Sequence, residues 1–365
     1  MSKNRVIVAM SGGVDSSVAA ALLKEKGYEV IGVTMKIWDG ETHDNREEKR
    51  ERHACYGPGE REDIEDAQKV AQKLDIPLHV FDLKEEYKTF VLDYFRQEYL
   101  SGRTPNPCVR CNEMVKFGAL IQKTKGSGIE FDYFATGHYV RVEYDNERSR
   151  YLLKKARDLR KDQSYFLYAL SQRQLGKCLF PLGELTKGEV RKKASNLELG
   201  IRDKPESQDF IVGDYSSLLD SPLKPGPILN EEGEVLGKHK GIQLYTVGQR
   251  RGLGIAVGKS LYVTRIDKEK NTIVVGPKEA LYKNELIASG LNWIAIEELK
   301  EPIKVTTKIR YLHKESEAKL TPLDNRRVYV KFKKPQRAIT PGQAVVFYDR
   351  DRVIGGGTIE SGSKL

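Results

Sequence analysis

Two groups of residues in this 365-residue chain have the types and spacing for chemistry. The first is Ser11-Gly12-Gly13-Val14-Asp15-Ser16-Ser17, which follows the apolar run Val6-Ile7-Val8-Ala9-Met10 and precedes a helical pattern. A strand, a glycine turn and a helix start in that order aim backbone N–H groups and the positive end of a helix at one anion, so the segment reads as a phosphate cradle. The glycines permit a tight turn and close approach, and the hydroxyls of Ser11, Ser16 and Ser17 add donors. No Lys follows in the G-K-[ST] order of a P-loop NTPase, and the G-x-G-x-x-G spacing of a dinucleotide fold is absent. Asp15 is open to two roles, orienting a magnesium ion or capping the helix.

The second group is Cys108-Val109-Arg110-Cys111, in a Pro-rich loop just before a helix. The helix N-terminus, with Arg103 and Arg110, is expected to lower a thiol pKa and favour the thiolate. Catalytic nucleophile, part of a metal or iron–sulfur site, and redox pair all remain open. A structural zinc needs two further ligands, and only Cys55, Cys178 and six histidines are available. Cys178, in Gly176-Lys177-Cys178-Leu179-Phe180, reads as a small core residue.

The elements that must position these groups alternate between β-rich runs at 6–10, 29–36, 78–83 and 132–136 and helices at 16–26, 64–74, 84–100 and 112–125. That alternation is an α/β pattern, a doubly wound parallel sheet over residues 1–205. Residues 39–61 are polar, charge-dense and aperiodic, and read as a long loop. Short strands and Gly/Pro turns follow, giving a small β-rich middle domain at 206–285. Alternating runs such as Val328-Tyr329-Val330-Lys331-Phe332 then indicate a C-terminal antiparallel β-barrel at 286–365.

Composition bounds the partners. The formal net charge is +10, and residues 286–365 carry 15 basic and 9 acidic residues, more than half of the excess in under a quarter of the length. A polyanion, with nucleic acid foremost, is the expected partner, and the barrel its expected face. The stretch holding Arg148, Arg150, Lys154, Lys155, Arg157, Arg160 and Lys161 with Tyr151 and Tyr165 reads as a second backbone-binding patch with stacking groups. No apolar run approaches the length of a membrane span, the N-terminus lacks a signal-peptide core, and four cysteines make no secreted framework, so a cytoplasmic location is expected.

The Ser11–Ser17 segment resembles the S-G-G-x-D-S motif of the PP-loop ATP pyrophosphatases, of adenine nucleotide α-hydrolase-like fold. The resemblance implies ATP as cofactor, with Mg²⁺, and adenine beside Met35 and Gly137. The run Thr104-Pro105-Asn106-Pro107-Cys108-Val109-Arg110-Cys111-Asn112-Glu113-Met114-Val115-Lys116-Phe117 is similar to the T-P-N-P-x-x-x-C-N-x-x-x-K-F pattern of the tRNA-specific 2-thiouridylases. Laid on it, Cys111 is the catalytic cysteine and Asn106-Pro107-Cys108 the base-contacting triplet, with Cys108 where many members have Asp. Lys161-Asp162-Gln163-Ser164-Tyr165-Phe166 resembles a tRNA contact, Tyr245 to Gly254 a middle-domain signature, and Arg310-Tyr311 a tRNA-contacting pair in the barrel.

The resemblance implies ATP-dependent adenylation of O2 of the wobble uridine of tRNA, followed by replacement of that oxygen with sulfur from a donor protein or sulfide. One departure stands out. The family's second cysteine, in S-x-x-I-C-F, meets Ser207-Gln208-Asp209-Phe210-Ile211-Val212 here, which has no thiol. Two substitutes are open: Cys108 as partner of Cys111, or Cys55, Cys108 and Cys111 together as ligands of an iron–sulfur cluster. Two rivals of other kinds are an amide-forming ATP pyrophosphatase, which has no use for Cys111, and a catalytically silent RNA-binding protein.

Overall fold

The computed structural model describes residues 4–40, 54–201, 204, 209–211, 215–219, 222–255, 258–324 and 326–361. The chain divides into two compact units, one of Met1–Val91, Cys108–Tyr215 and Asp351–Val353, the other of Leu92–Pro107, Ser216–Arg350 and Ile354–Leu365.

The first unit is built on a five-stranded parallel sheet in the order Leu78–Asp82, Glu29–Lys36, Arg5–Ala9, Tyr133–Ala135, Cys178–Leu179. Val6, Ile7 and Val8 have no exposed surface, as a central strand covered on both faces requires. Val6 and Val8 pack in one cluster with residues of the helices Val14–Glu25, Glu60–Lys73 and Lys187–Asn196. Phe134 meets Phe117, from the helix that carries Cys111, edge to face at 5.2 Å. The chain leaves the central strand toward opposite edges of the sheet, so the Arg5–Ala9 and Tyr133–Ala135 strands flank a topological switch point. Ligands of open α/β sheets sit at the carboxyl ends of strands at such a point.

Strand positions agree with the sequence reading to within a residue or so, whereas the helices carry detail that periodicity does not report. The helix at 84–100 is interrupted by a π-turn at Lys88–Leu92. The next helix starts at Pro107, ahead of its expected start, because proline suits the first helical position, and it runs as a π-helix over Cys111–Ala119. Within the expected 39–61 loop, Ala54–Tyr56 is a short strand pairing in parallel with Asp209–Ile211, and residues 41–53 lie outside the described residues.

The basic stretch near residue 150 is a hairpin, Val140–Asp145 against Arg150–Lys155. Its charges are largely used internally. Arg148 pairs with Asp145, Lys154 with Glu143 and Asp351, and Arg157 with Glu189. Tyr165 is fully buried, which corrects its reading as a group that stacks on bases.

The second unit contains a four-stranded sheet, Val235–His239, Gly226–Leu229, Thr272–Gly276 and Tyr262–Asp267 in that order, packed around Ile228, Val263, Ile273 and Val275. It also contains six antiparallel strands, Tyr282–Trp293, Arg327–Arg337, Ser316–Pro322, Ile303–Lys308, Ala344–Asp349 and Arg352–Ser361, and pairing of the last with the first closes the barrel. Burial of Val328, Val330 and Phe332 between more exposed neighbours gives the period of two that a barrel wall needs.

Candidate active site

The phosphate loop is braced by its own hydroxyls. Ser11 N donates to Ser16 Oγ at 3.1 Å, the Ser11 and Ser16 hydroxyls meet at 3.3 Å, and Ser16 and Ser17 each donate to Gly13 O. Gly13 is the N-cap of the helix Val14–Glu25 and no side chain caps its first turn, which suits an anion. Gly12 has φ +69°, and a β-carbon there would sit 2.1 Å from Asp63 O, so conformation and space both demand glycine. A β-carbon on Gly137 would lie 2.6 Å from Ser16 N, so a bare backbone here lets the end of the neighbouring strand lean on the loop.

Asp15 is not the helix cap. Its carboxylate accepts the Lys187 ammonium at 2.7 and 2.8 Å and the Tyr139 hydroxyl at 2.7 Å. A carboxylate beside a phosphate cradle fits a magnesium ion, which typically takes one or two protein carboxylates plus substrate phosphates. Asp15 would hold it once Lys187 releases an oxygen, and the ion would supply charge neutralisation on the phosphates. Met35 is half-buried near the end of Glu29–Lys36, where Glu60 Oε1 accepts from Ile37 N and Trp38 N at 2.5 and 2.8 Å and fixes the chain's exit.

The four cysteines differ in burial. Cys108 and Cys111 are half-buried, Cys55 is exposed, and Cys178 is buried, its pKa pushed up by burial as a core thiol requires. Burial also pushes Cys111 up to about 11, against the lowering pull of Lys116. This corrects the expected thiolate: Arg110 pairs with Glu113 at 3.3 Å and Arg103 with Glu98 at 2.8 Å, so neither serves the sulfur as a lone cation, and desolvation wins. The Lys116 ammonium lies within electrostatic reach of Cys111, Cys55 and Cys108 together.

His138 connects the two groups. It follows Gly137, its Nδ1 meets Thr136 Oγ1 at 2.8 Å, and its ring packs on Phe117 with centroids 6.0 Å apart. Burial, then the Lys116 charge, push its pKa down to about 3, so the imidazole is neutral.

Comparison with known proteins fits this arrangement. Residues 4–212 match the profile of the tRNA methyl transferase HUP domain, 219–277 that of the tRNA methyl transferase PRC-barrel domain, and 283–359 that of the aminomethyltransferase beta-barrel domain. A tRNA-specific 2-thiouridylase of Acetivibrio thermocellus is 50% identical over 99% of this chain and 100% of its own length. The chain belongs to the tRNA-specific 2-thiouridylase family. Members from Pelotomaculum thermopropionicum (51% identical, 99% of this chain and 98% of the relative) and Clostridium perfringens (47%, 99% of each) are similar throughout. A solved 4-thiouridine synthetase–RNA complex with bound ATP is 17% identical with a TM-score of 0.31, over 55% of this chain and 43% of that one, too distant to bear on the argument.

For a 2-thiouridylase, the residues expected to contact tRNA divide into two kinds. Lys161 is half-buried, whereas Asp162 is buried: its carboxylate accepts from Ala156 N, Ser164 N and Ser164 Oγ and shapes the turn. Gln163 Oε1 accepts from Tyr139 N at 2.9 Å and so braces the residue that holds Asp15. In the second unit, Asn106 and Pro107 follow a segment tied down by Thr104 N to Pro341 O (2.8 Å) and by Gln343 Nε2 to the carbonyls of Thr104 and Pro105. Arg310 donates to Arg337 O at 2.8 Å, Tyr311 is half-buried, and Leu312 beside them is 89% exposed, an apolar tip on a basic barrel.

The iron–sulfur reading is not supported. Among the described residues no three His, Cys, Asp or Glu side chains converge as a metal-binding group. Sequence reasoning gave no role to Lys187, Tyr139 or His138, and carried Lys116 only as a matching position of the Thr104–Phe117 run. The one local signal for Lys187 is the Thr186–Glu189 capping box that opens its helix.

Proposed function

We propose that this protein uses ATP to adenylate O2 of the wobble uridine of tRNA and then replaces that oxygen with sulfur. The observation that carries the reading is the adjacency of two chemistries in one unit: a glycine cradle leaning on Gly137, and a thiol helix packed on His138, the next residue.

Adenylation turns a poor leaving oxygen into a good one, because the departing group becomes AMP. The first-turn N–H groups of Val14–Glu25 are aimed at phosphate, where they offset the charge that develops on the leaving phosphates. Lys187, paired with Asp15, brings a cation to the loop; Asp15 would hold a magnesium ion, which would supply charge neutralisation on the phosphates. The buried Phe117 ring holds the neutral His138 ring in place from behind, at 6.0 Å between centroids. The neutral His138 keeps a second cation away from the incoming sulfur anion. Cys111, protonated at rest, resists oxidation until substrate arrives. The basic barrel supports association with tRNA, and among the described residues no helix is long and apolar enough to cross a membrane.

The reading is tested by incubating the protein with unmodified tRNA, Mg-ATP, a low-molecular-weight persulfide and a dithiol reductant, then digesting the RNA to nucleosides. The result expected is 2-thiouridine formed one for one with AMP and pyrophosphate, and none without ATP. ATP turnover without a thionucleoside would refute it, and an amidated product would point to the amide-forming rival.

A further inference from the structure

Apart from the PP-loop, one cluster of reactive groups has no assigned partner chemistry: the sulfurs around Lys116 and Tyr87. The short strand Ala54–Tyr56 runs parallel to Asp209–Ile211, with Ala54 opposite Asp209 and Tyr56 opposite Ile211, which sets Cys55 level with Phe210. Tyr56 is buried and stacks on Tyr87 with centroids 5.4 Å apart and planes 6° apart, and Phe210 stacks on Tyr56 from 6.5 Å. The Tyr56 hydroxyl donates to Asp39 at 2.8 Å. The helix Lys84–Tyr87 packs on the π-helix Cys111–Ala119. Two successive contacts, Tyr56 on Tyr87 and the Lys84–Tyr87 helix on the π-helix, thus bring the Cys55 strand to the Cys111 helix.

The electrostatics agree with that path. The Tyr87 hydroxyl, pushed up first by burial, also responds to Cys111, Cys55 and Cys108. Among the cysteines, Cys55 is the one whose charge bears on Cys111. The two sulfurs differ in access, Cys55 exposed on its strand and Cys111 half-buried on its helix. A sulfur acceptor must be reached by a bulky donor, and a resolving thiol must be shielded until the end of the cycle.

We propose that Cys55 is the sulfur-carrying thiol of this enzyme and Cys111 the thiol that resolves it, so that Cys55 supplies the function absent from residues 209–211. The proposal rests on the thiolation reading above. A persulfide-bearing donor transfers its outer sulfur to Cys55, leaving the donor as a thiolate. The terminal sulfur of the Cys55 persulfide attacks C2 of the adenylated uridine, the C2–O bond breaks, and its electron pair departs with AMP. Cys111 then attacks Cys55 Sγ. The bond between Sγ and the transferred sulfur breaks, its electron pair stays with the base, and the thiol proton passes to N3, giving 2-thiouridine. The sulfane sulfur has been reduced, the two cysteines have been oxidised to a Cys55–Cys111 disulfide, and a dithiol reductant resets them.

The test uses the full-length protein with a low-molecular-weight persulfide, Mg-ATP and tRNA, in one turnover, quenched by alkylation and mapped without reduction. Wild type is expected to yield a Cys55–Cys111 disulfide in proportion to 2-thiouridine. Cys55→Ser, a small change at an exposed side chain, is expected to keep its melting temperature and lose single-turnover thiolation by at least ~100-fold. Cys111→Ser is expected to accumulate a tRNA adduct released by thiols and mapping to the Cys55 peptide. A Cys108–Cys111 disulfide, an adduct on Cys108, wild-type thiolation in Cys55→Ser, or bound iron and acid-labile sulfide that track activity would each overturn the proposal. If wild type makes no 2-thiouridine from any sulfur source, the functional reading fails instead.

Discussion

Gly137 and Ser16 are in backbone contact: a β-carbon on the first would fall 2.6 Å from the amide nitrogen of the second, closer than such atoms approach. The strand end that leads to His138 is therefore pressed against the turn that cradles phosphate. Because both partners are backbone, neither can rotate aside. Gly137→Ala is expected to push the strand end off the loop, costing about 1–3 kcal/mol of stability. ATP binding should weaken with it. Calorimetric titration with ATP and a thermal melt check this, and unchanged affinity would show that the contact does not shape the cradle.

Lys187 and Asp15 form an ion pair whose side chains are only 11% and 28% exposed. Lys187→Met leaves the carboxylate with the Tyr139 hydroxyl alone, at an expected cost of roughly 1–3 kcal/mol, in the lower range for a broken pair because Asp15 is partly solvated. Adenylation should fall more steeply than stability, since the pair also brings a cation to the phosphate loop. Urea unfolding and tRNA-dependent exchange of pyrophosphate into ATP measure the two separately. Equal losses in both would make Lys187 merely structural.

Two buried groups bracket a pH plateau. His138 is held neutral with its pKa down at about 3 from an ordinary 6.5, so the stability it contributes is full above about pH 6.5 and is lost as pH falls toward 3. Cys111 is raised from 9.0 to about 11, so its contribution is full below about pH 9 and is lost as pH rises through 11. Urea midpoints should therefore be flat between these limits, with the alkaline fall reduced in Cys111→Ser. In proton NMR, the His138 ring should show no titration between pH 5 and 8. A midpoint near 6.5 for that ring would contradict its burial beside Lys116.

Binding of tRNA should weaken with salt. Each phosphate neutralised contributes about 0.7–0.9 to the slope of log affinity against log salt. Arg310→Ala removes a basic side chain from the barrel and is expected to lower that slope by about one phosphate's share. The Arg310–Arg337 carbonyl bond is lost too, so a melt must accompany the titration. An unchanged slope would place tRNA elsewhere than on this turn.

How far the sequence discloses such a site depends on range. The phosphate loop is legible because strand, glycine turn and helix start are contiguous, and the parallel sheet because its strands are apolar on both faces. The thiol state of Cys111 is not, since arginines near it in sequence pair with their own acids, and burial by tertiary neighbours sets its proton affinity. Lys187 lies 172 residues from the carboxylate it holds. The hairpin at 140–155 was hidden by its charge, because cross-strand ion pairs such as Lys154–Glu143 satisfy basic residues that read as a nucleic-acid patch. Cys55 reads as a loop residue until the pairing of Ala54–Tyr56 with Asp209–Ile211 is known.

The measurement that tests the central claim most directly follows the replaced oxygen. An anticodon stem-loop carrying oxygen-18 at O2 of the wobble uridine, thiolated with Mg-ATP and a persulfide, should deliver that label into AMP, one atom for each 2-thiouridine formed. Label appearing in water or pyrophosphate, with unlabelled AMP, would contradict activation of the base by adenylation.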